Sequence, residues 1–124
     1  MHNEVNSKSI VKKLSEQLRR LKSVKAAILF GSVAKGKERK NSDIDICAIT
    51  TSEDDSPLDL SSDKLDISLF HKLPLVVRYH VFRDGQLLFS KDDKLLTKLK
   101  FWTIKHYLDE KHWRDRFVEK VLSC

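Results

Sequence analysis

The sequence predicts a small α/β (α+β) domain, with helices packed against a mixed β-sheet. Two observations lead there: helical periodicity at both ends of the 124 residues, and short apolar runs between them. The length suits a single domain over 1–124 with one modest core. In SIVKKLSEQLRRLKSV the residues Ile10, Leu14, Leu18 and Leu21 recur every three or four positions, which predicts a first helix over 9–22. VKAAILF is apolar and ends at a glycine, so a buried strand is expected over 25–30, and DIDICAI predicts a second over 43–50. TSEDDSPLDLSSD has turn formers, charge and a proline without periodicity and reads as a mobile loop, its Glu53, Asp54 and Asp55 as solubilising charge. KLDISLF alternates, with Leu65, Ile67 and Leu69 on one face and Asp66 and Ser68 on the other, as a third strand would. A short helix is expected over 73–81, starting near Pro74, and the Asp-Gly of YHVFRDGQLLF predicts a β-hairpin. Leu95, Leu96, Leu99 and Trp102 predict a helix over 92–107, with Trp113, Phe117 and Val121 forming a further set of turns behind it.

The net charge of +6 conceals a block structure. Residues 1–40 carry 11 Lys/Arg against 3 Asp/Glu, residues 41–70 carry 1 against 8, and residues 71–124 carry 12 against 7. An acidic patch amid basic surroundings suits divalent cations beside a nucleotide phosphate tail. No apolar run has membrane-spanning length, and MHNEVNSKSIVKKLSEQLRR is too polar for a signal peptide, so no membrane association and a cytoplasmic location are expected. Cys47 and Cys124 suggest neither a disulfide framework nor a thiolate zinc site, and Cys47 reads as core. The histidines show no ligand spacing, and Tyr79 and Tyr107 read as packing residues.

The chemistry-bearing stretch is GSVAKGKERKNSDIDICAI. On a strand Asp43 and Asp45 share a face while Ile44 and Ile46 point into the opposite layer. Two such anions repel unless they are hydrated, paired with lysine or bridged by a cation, and Mg²⁺ is the natural hard, oxygen-liganded candidate. Asp66 on the next strand is a candidate third carboxylate, and three carboxylates can hold two metals. Taken alone, these acids also fit a solvated strand end. Asp59 and Asp63 lie among turn formers, where solvation is the simpler account. Gly31 and Ser32 follow a buried strand, where a glycine permits positive φ and a following helical turn offers N–H groups to an anion. Neither a dinucleotide fingerprint nor a Walker A ending is present.

Together, Gly31-Ser32, about ten intervening residues and Asp43-X-Asp45 closely resemble the nucleotidyltransferase superfamily related to DNA polymerase beta, in particular its minimal nucleotidyltransferase (MNT) group. GSVAKG repeats the group's second glycine, with Lys35 where arginine is common, and the resemblance runs from Val24 through Phe89. It implies the polymerase beta-like fold and nucleotidyl transfer from a nucleoside triphosphate, ATP by preference. Asp43, Asp45 and Asp66 would be the catalytic carboxylates, holding what is expected to be two Mg²⁺ ions. Gly31, Ser32 and Lys35, together with Asp43 and Asp45, would bind the nucleotide. It further implies a role as antitoxin to a helical HEPN-type protein encoded nearby, with AMP attached to a hydroxyl of that partner. Neither adenine nor the acceptor is legible in the residues themselves. Contact inhibition without catalysis, transfer to RNA or a small molecule, and a nucleic-acid-binding module stand as alternatives; stable DNA binding is not expected. The apolar residues from Phe101 onward exceed what a small sheet needs and suggest an interface, with a partner or with a second copy of the chain.

Overall fold

The computed structural model describes residues 3–31, 43–51 and 53–122. Helix α1 (Asn3–Arg20) leads into β1 (Val24–Phe30) and β2 (Ile44–Thr50). A 3₁₀ turn (Ser56–Leu60), β3 (Leu65–Leu69) and a second 3₁₀ turn (Phe70–Lys72) follow. Helix α2 (Leu75–Asp84), β4 (Gln86–Ser90) and α3 (Asp93–Leu122) complete the order. The strands form one sheet in the order β3-β2-β1-β4, with β1 antiparallel to β2 and β4, and β2 parallel to β3. The sheet is therefore mixed, and helices cover both faces.

Alternation along the strands divides the core in two. On one face Leu14 and Leu18 of α1 meet Val24, Ala27, Leu29, Ile44, Ile46, Ala48, Leu65, Ile67, Leu69 and Phe89. On the other, Ala26, Ile28, Cys47, Ile49 and Phe70 receive Val81 of α2, with Leu95, Leu96 and Leu99 of α3 beside them. A register shift between Val24 and Ala26 lets Val24 join the α1 face together with Ala27 and Leu29, as one extra residue in a strand does. Cys47 is core as expected, and burial pushes its thiol up to about 12, against a smaller opposing pull from Arg78, so the thiolate is not available at neutral pH.

Parallel pairing of β2 with β3 requires a crossover, which the segment read as a mobile loop provides. Pro57 is buried, and Leu58 and Leu60 pack on the α1-side core. Asp54 accepts hydrogen bonds from Ser23 Oγ at 2.6 Å, Ser56 Oγ at 2.8 Å and Ser56 N–H at 3.0 Å. These bonds, the Ser23 one foremost, hold the Asp54 carboxyl below the usual range. Their stabilisation is full above the unfolded carboxylate pKa and is lost as pH falls through the lower folded value. Asp54 therefore ties the crossover to the turn before β1 and does more than solvate it.

The expected hairpin is absent. Asp84 is the last residue of α2, and Gly85 ends that helix at φ −76°, donating its N–H to Val81 O at 2.9 Å. Pro74 sets the helix start, and Val77 and Val81 reach the core at helical spacing, which overrides the β-branched composition of LVVRYHVF. β4 then pairs with β1 instead of the segment before it. Helix α3 is longer than expected and continuous, with Asp92 accepting the Leu95 N–H at 3.1 Å as its cap. Tyr79 and Tyr107 stack 3.9 Å apart between centroids and lock α2 to α3, the packing role expected for them. A Cβ on Gly85 would run into Val81 O and Ile28 Cγ2, so Gly85 is small because α2 ends against β1. Gly85→Ala is expected to destabilise the fold by about 1–3 kcal/mol, the scale of overpacking, measured by chemical denaturation.

Candidate active site

The carboxylates gather where β1 ends and β2 and β3 begin. In the parallel register Asp45 lies beside Asp66, and in the antiparallel one it lies beside Phe30. The neighbours Ile44, Ile46, Leu65 and Ile67 are buried on the opposite face, and this fixes which side the acids occupy. Asp43 stands just before β2 and is exposed; the next residue donates its N–H to Lys64 O at 2.8 Å, which anchors the start of the strand. Asp66 is exposed and Asp45 half-buried.

Asp45 is the constrained member. Burial raises its pKa first, and the charges of Asp66 and then Asp43 raise it further. On its other side lies Gly31, at φ +80°, where a Cβ would run into Asp45 Oδ2. Glycine is required there twice, for the left-handed backbone and for the space the carboxylate takes. The glycine and the Asp-X-Asp thus touch, although the sequence separates them by more than ten residues. Ser32 and Lys35 lie outside the described residues.

The donor set fits a hard divalent cation: carboxylate oxygens on adjacent strands, with mutual repulsion that a cation offsets. Among the described residues no three His, Cys, Asp or Glu side chains are already arranged to hold a metal ion. The structure therefore brings Asp45 together with Asp66 and Gly31, and sets Asp43 near enough to act on Asp45, without closing a ligand shell. Arg78 was not legible in the sequence. It donates from Nε to Phe70 O at 3.0 Å and from Nη2 to His71 O at 2.6 Å, fixing the chain where it leaves β3. Its acceptors are backbone carbonyls, which leave no residue-type signal.

The Polymerase beta, Nucleotidyltransferase family matches residues 12–94, a span that holds the glycine turn and all three carboxylates. The chain belongs to this family. This nucleotidyltransferase-family domain is 31% identical over 90 residues to a candidate protein adenylyltransferase of Methanocaldococcus jannaschii, covering 71% of this chain and 68% of that one. Its fold matches a chain of a toxin–antitoxin structure with AMP-PNP at TM-score 0.67 and 22% identity, over 90% of this chain and 95% of the other. It also matches one from the tri-AMPylated Shewanella oneidensis HEPN toxin in complex with MNT antitoxin, at TM-score 0.63 and 18% identity, over 97% and 98%. These likenesses confirm the polymerase beta-like fold. No helix among the described residues is long and apolar enough to cross a membrane.

The raised Asp45 pKa carries a sign that can be measured. The folded state pays for an ionised Asp45, fully above the raised folded pKa and not at all below the ordinary carboxylate value. In cation-free buffer at pH 7, Asp45→Asn is expected to raise Tm by about 1–3 °C, the scale of a partly exposed like-charge contact in a domain of this size. Thermal melts across pH should show that gain shrinking as the pH falls through the raised Asp45 pKa and gone once it is below the ordinary carboxylate value.

Proposed function

We propose that this domain is a Mg²⁺-dependent nucleotidyltransferase that transfers AMP from ATP to a hydroxyl of a helical HEPN-type partner, and thereby acts as its antitoxin. The observation that carries the reading is the Asp45–Asp66 pair in register, with Gly31 packed against the Asp45 carboxylate. The family supports the reaction class. The adenylyltransferase description of the archaeal relative and the AMP-PNP, HEPN and MNT descriptions of the structural neighbours support the donor and the partner.

The residues divide the work. The Gly31 turn lets backbone approach the triphosphate tail closely, and Ser32 and Lys35, next along the chain, supply a hydroxyl and a cation for its oxygens. Asp43, Asp45 and Asp66 would hold Mg²⁺, which supplies charge neutralisation at the phosphates and favours loss of the acceptor proton. Asp66, exposed on β3, faces the incoming acceptor and accepts its hydroxyl proton at a carboxylate oxygen. The acceptor oxygen bonds to the α-phosphorus as the bond to the pyrophosphate oxygen breaks. Most of the acceleration then comes from position and charge.

A surface for the partner lies on α3. Thirty residues make a helix about 45 Å long, and its apolar side chains stop meeting the core near Tyr107. Beyond it Trp113 and Phe117 are each 68% exposed, and Leu122 is 79% exposed. A helix that extends past its core with aromatic side chains suits docking against another helical protein.

With labelled ATP, Mg²⁺ and the protein encoded beside this one, label is expected to enter that protein. Asp43→Ala or Asp45→Ala should cut the rate about 10²-fold or more, the range for losing transition-state charge stabilisation. Transfer unchanged in Asp43→Ala sinks the assignment, inhibition without transfer replaces it with contact inhibition, and substituting GTP, CTP and UTP reads the base preference. Separately, Trp113→Ala combined with Phe117→Ala should weaken complex formation by about 10-fold or more in size-exclusion or titration measurements, with Tm of the isolated chain unchanged.

A further inference from the structure

The end of the sheet opposite Gly31 carries the other sign of charge. Lys25 lies near the start of β1, six residues from Gly31 and therefore about 20 Å from it along an extended strand. Lys91 follows β4, and its backbone N–H donates to Lys25 O at 2.7 Å, so the two lysines are neighbours. Arg19, in the last turn of α1, places its guanidinium carbon 5.2 Å from the centroid of the Phe89 ring, and Lys91 Nζ lies 5.8 Å from the same centroid. Lys91 Nζ also donates to Leu21 O at 2.9 Å. Phe89 is buried and acts as an anchor for both cations. Among the described residues none of Arg19, Lys25 and Lys91 has an acidic partner. Lys8 and Lys12 continue the line, because positions 8, 12 and 19 share one stripe of α1.

The Phe89 ring and the Leu21 carbonyl hold Arg19 and Lys91 beside Lys25, and three like charges so close raise one another's energy, which an anion placed among them relieves. The Lys91 ammonium already shows the strain: burial, then Lys25 and Arg19, lower its pKa. We propose that Arg19, Lys25 and Lys91 form a docking site for the phosphodiester backbone of a nucleic acid. A protein partner would need an apolar anchor at the centre of the patch, and here the central aromatic is buried beneath the cations. A phosphate chain needs only charge and exposure, which Arg19 and Lys91 offer. This site does not depend on the transfer reaction proposed for the carboxylates, and its test does not use activity.

The test is fluorescence anisotropy of the full chain with labelled single-stranded RNA and DNA 20-mers of one sequence, titrated at several salt concentrations. Three neutralised phosphates predict a log–log salt slope of about −2, so affinity should fall about 16-fold between 50 and 200 mM salt. Either oligonucleotide binding in this way supports the site, and the ratio of the two identifies the source. Arg19→Gln and Lys91→Gln should each weaken binding about 5- to 10-fold at 50 mM salt, whereas Lys98→Gln on α3, an equal loss of net charge, should change it less than 2-fold. Lys91→Gln keeps a donor for Leu21 O, and Lys25→Gln is the second variant if a melt shows either change unfolding the protein. No binding at 50 mM salt overturns the proposal. So does an equal loss in Lys98→Gln, or a labelled poly-glutamate peptide that binds as tightly and is lost in the same variants.

Discussion

Everything at the candidate site depends on the in-register parallel pairing of β2 with β3. It sets Asp45 beside Asp66 and, through alternation, turns both to the side opposite Ile44, Ile46, Leu65 and Ile67. A slip of β3 by one residue would turn Asp66 into the core and Leu65, Ile67 and Leu69 out of it, so the core enforces the site's geometry. The same pairing obliges the chain to cross from the far end of β2 back to the start of β3. Leu58 and Leu60 stabilise that crossover by packing on the α1-side core, Pro57 is buried within it, and Asp54 clips it to Ser23.

Burial and charge oppose each other at Asp45. The strand that supplies it is among the most buried in the molecule, yet the residue itself sits between two other carboxylates and against Gly31. Local energy is sacrificed at the edge while the interior of β2 is apolar and well packed, a pattern expected where a site is built for a charged ligand. The molecule also separates its charges by distance: acids at the end of the sheet where β2 and β3 begin, and Arg19, Lys25 and Lys91 at the other end of β1.

The strands were legible because their apolar patterns are local. VKAAILF, DIDICAI and KLDISLF each became a strand within a residue or so of the expected bounds, and the split of Leu65, Ile67 and Leu69 from Asp66 and Ser68 held. Two readings failed for reasons outside the local chain. Asp84-Gly85 has the residues of a hairpin turn, but the preceding segment gains more by burying Val77 and Val81 as a helix, and β4 finds its partner in β1. The 53–63 segment has a loop's composition, and its order comes from the Ser23–Asp54 hydrogen bond and from Leu58 and Leu60 against the core. The candidate carboxylates and Gly31 were legible as residue types; the contact between Gly31 and Asp45 was not, since it spans two strands.

By itself the sequence determined the first three strands, the helices at both ends, their apolar faces and the glycine and carboxylate set within the span that matches the polymerase beta nucleotidyltransferase family. Hydrophobic period and motif spacing are properties of short stretches, readable without knowing what they touch. Only the tertiary structure decided that Asp45 is the acid whose ionisation is disfavoured, that α3 outruns its core, and that Arg19 of α1 and Lys91 after β4 meet over the Phe89 ring with Lys25 of β1 beside them. Each of these is set by which distant residues share a place, because desolvation, repulsion and exposure depend on neighbours in space rather than in sequence.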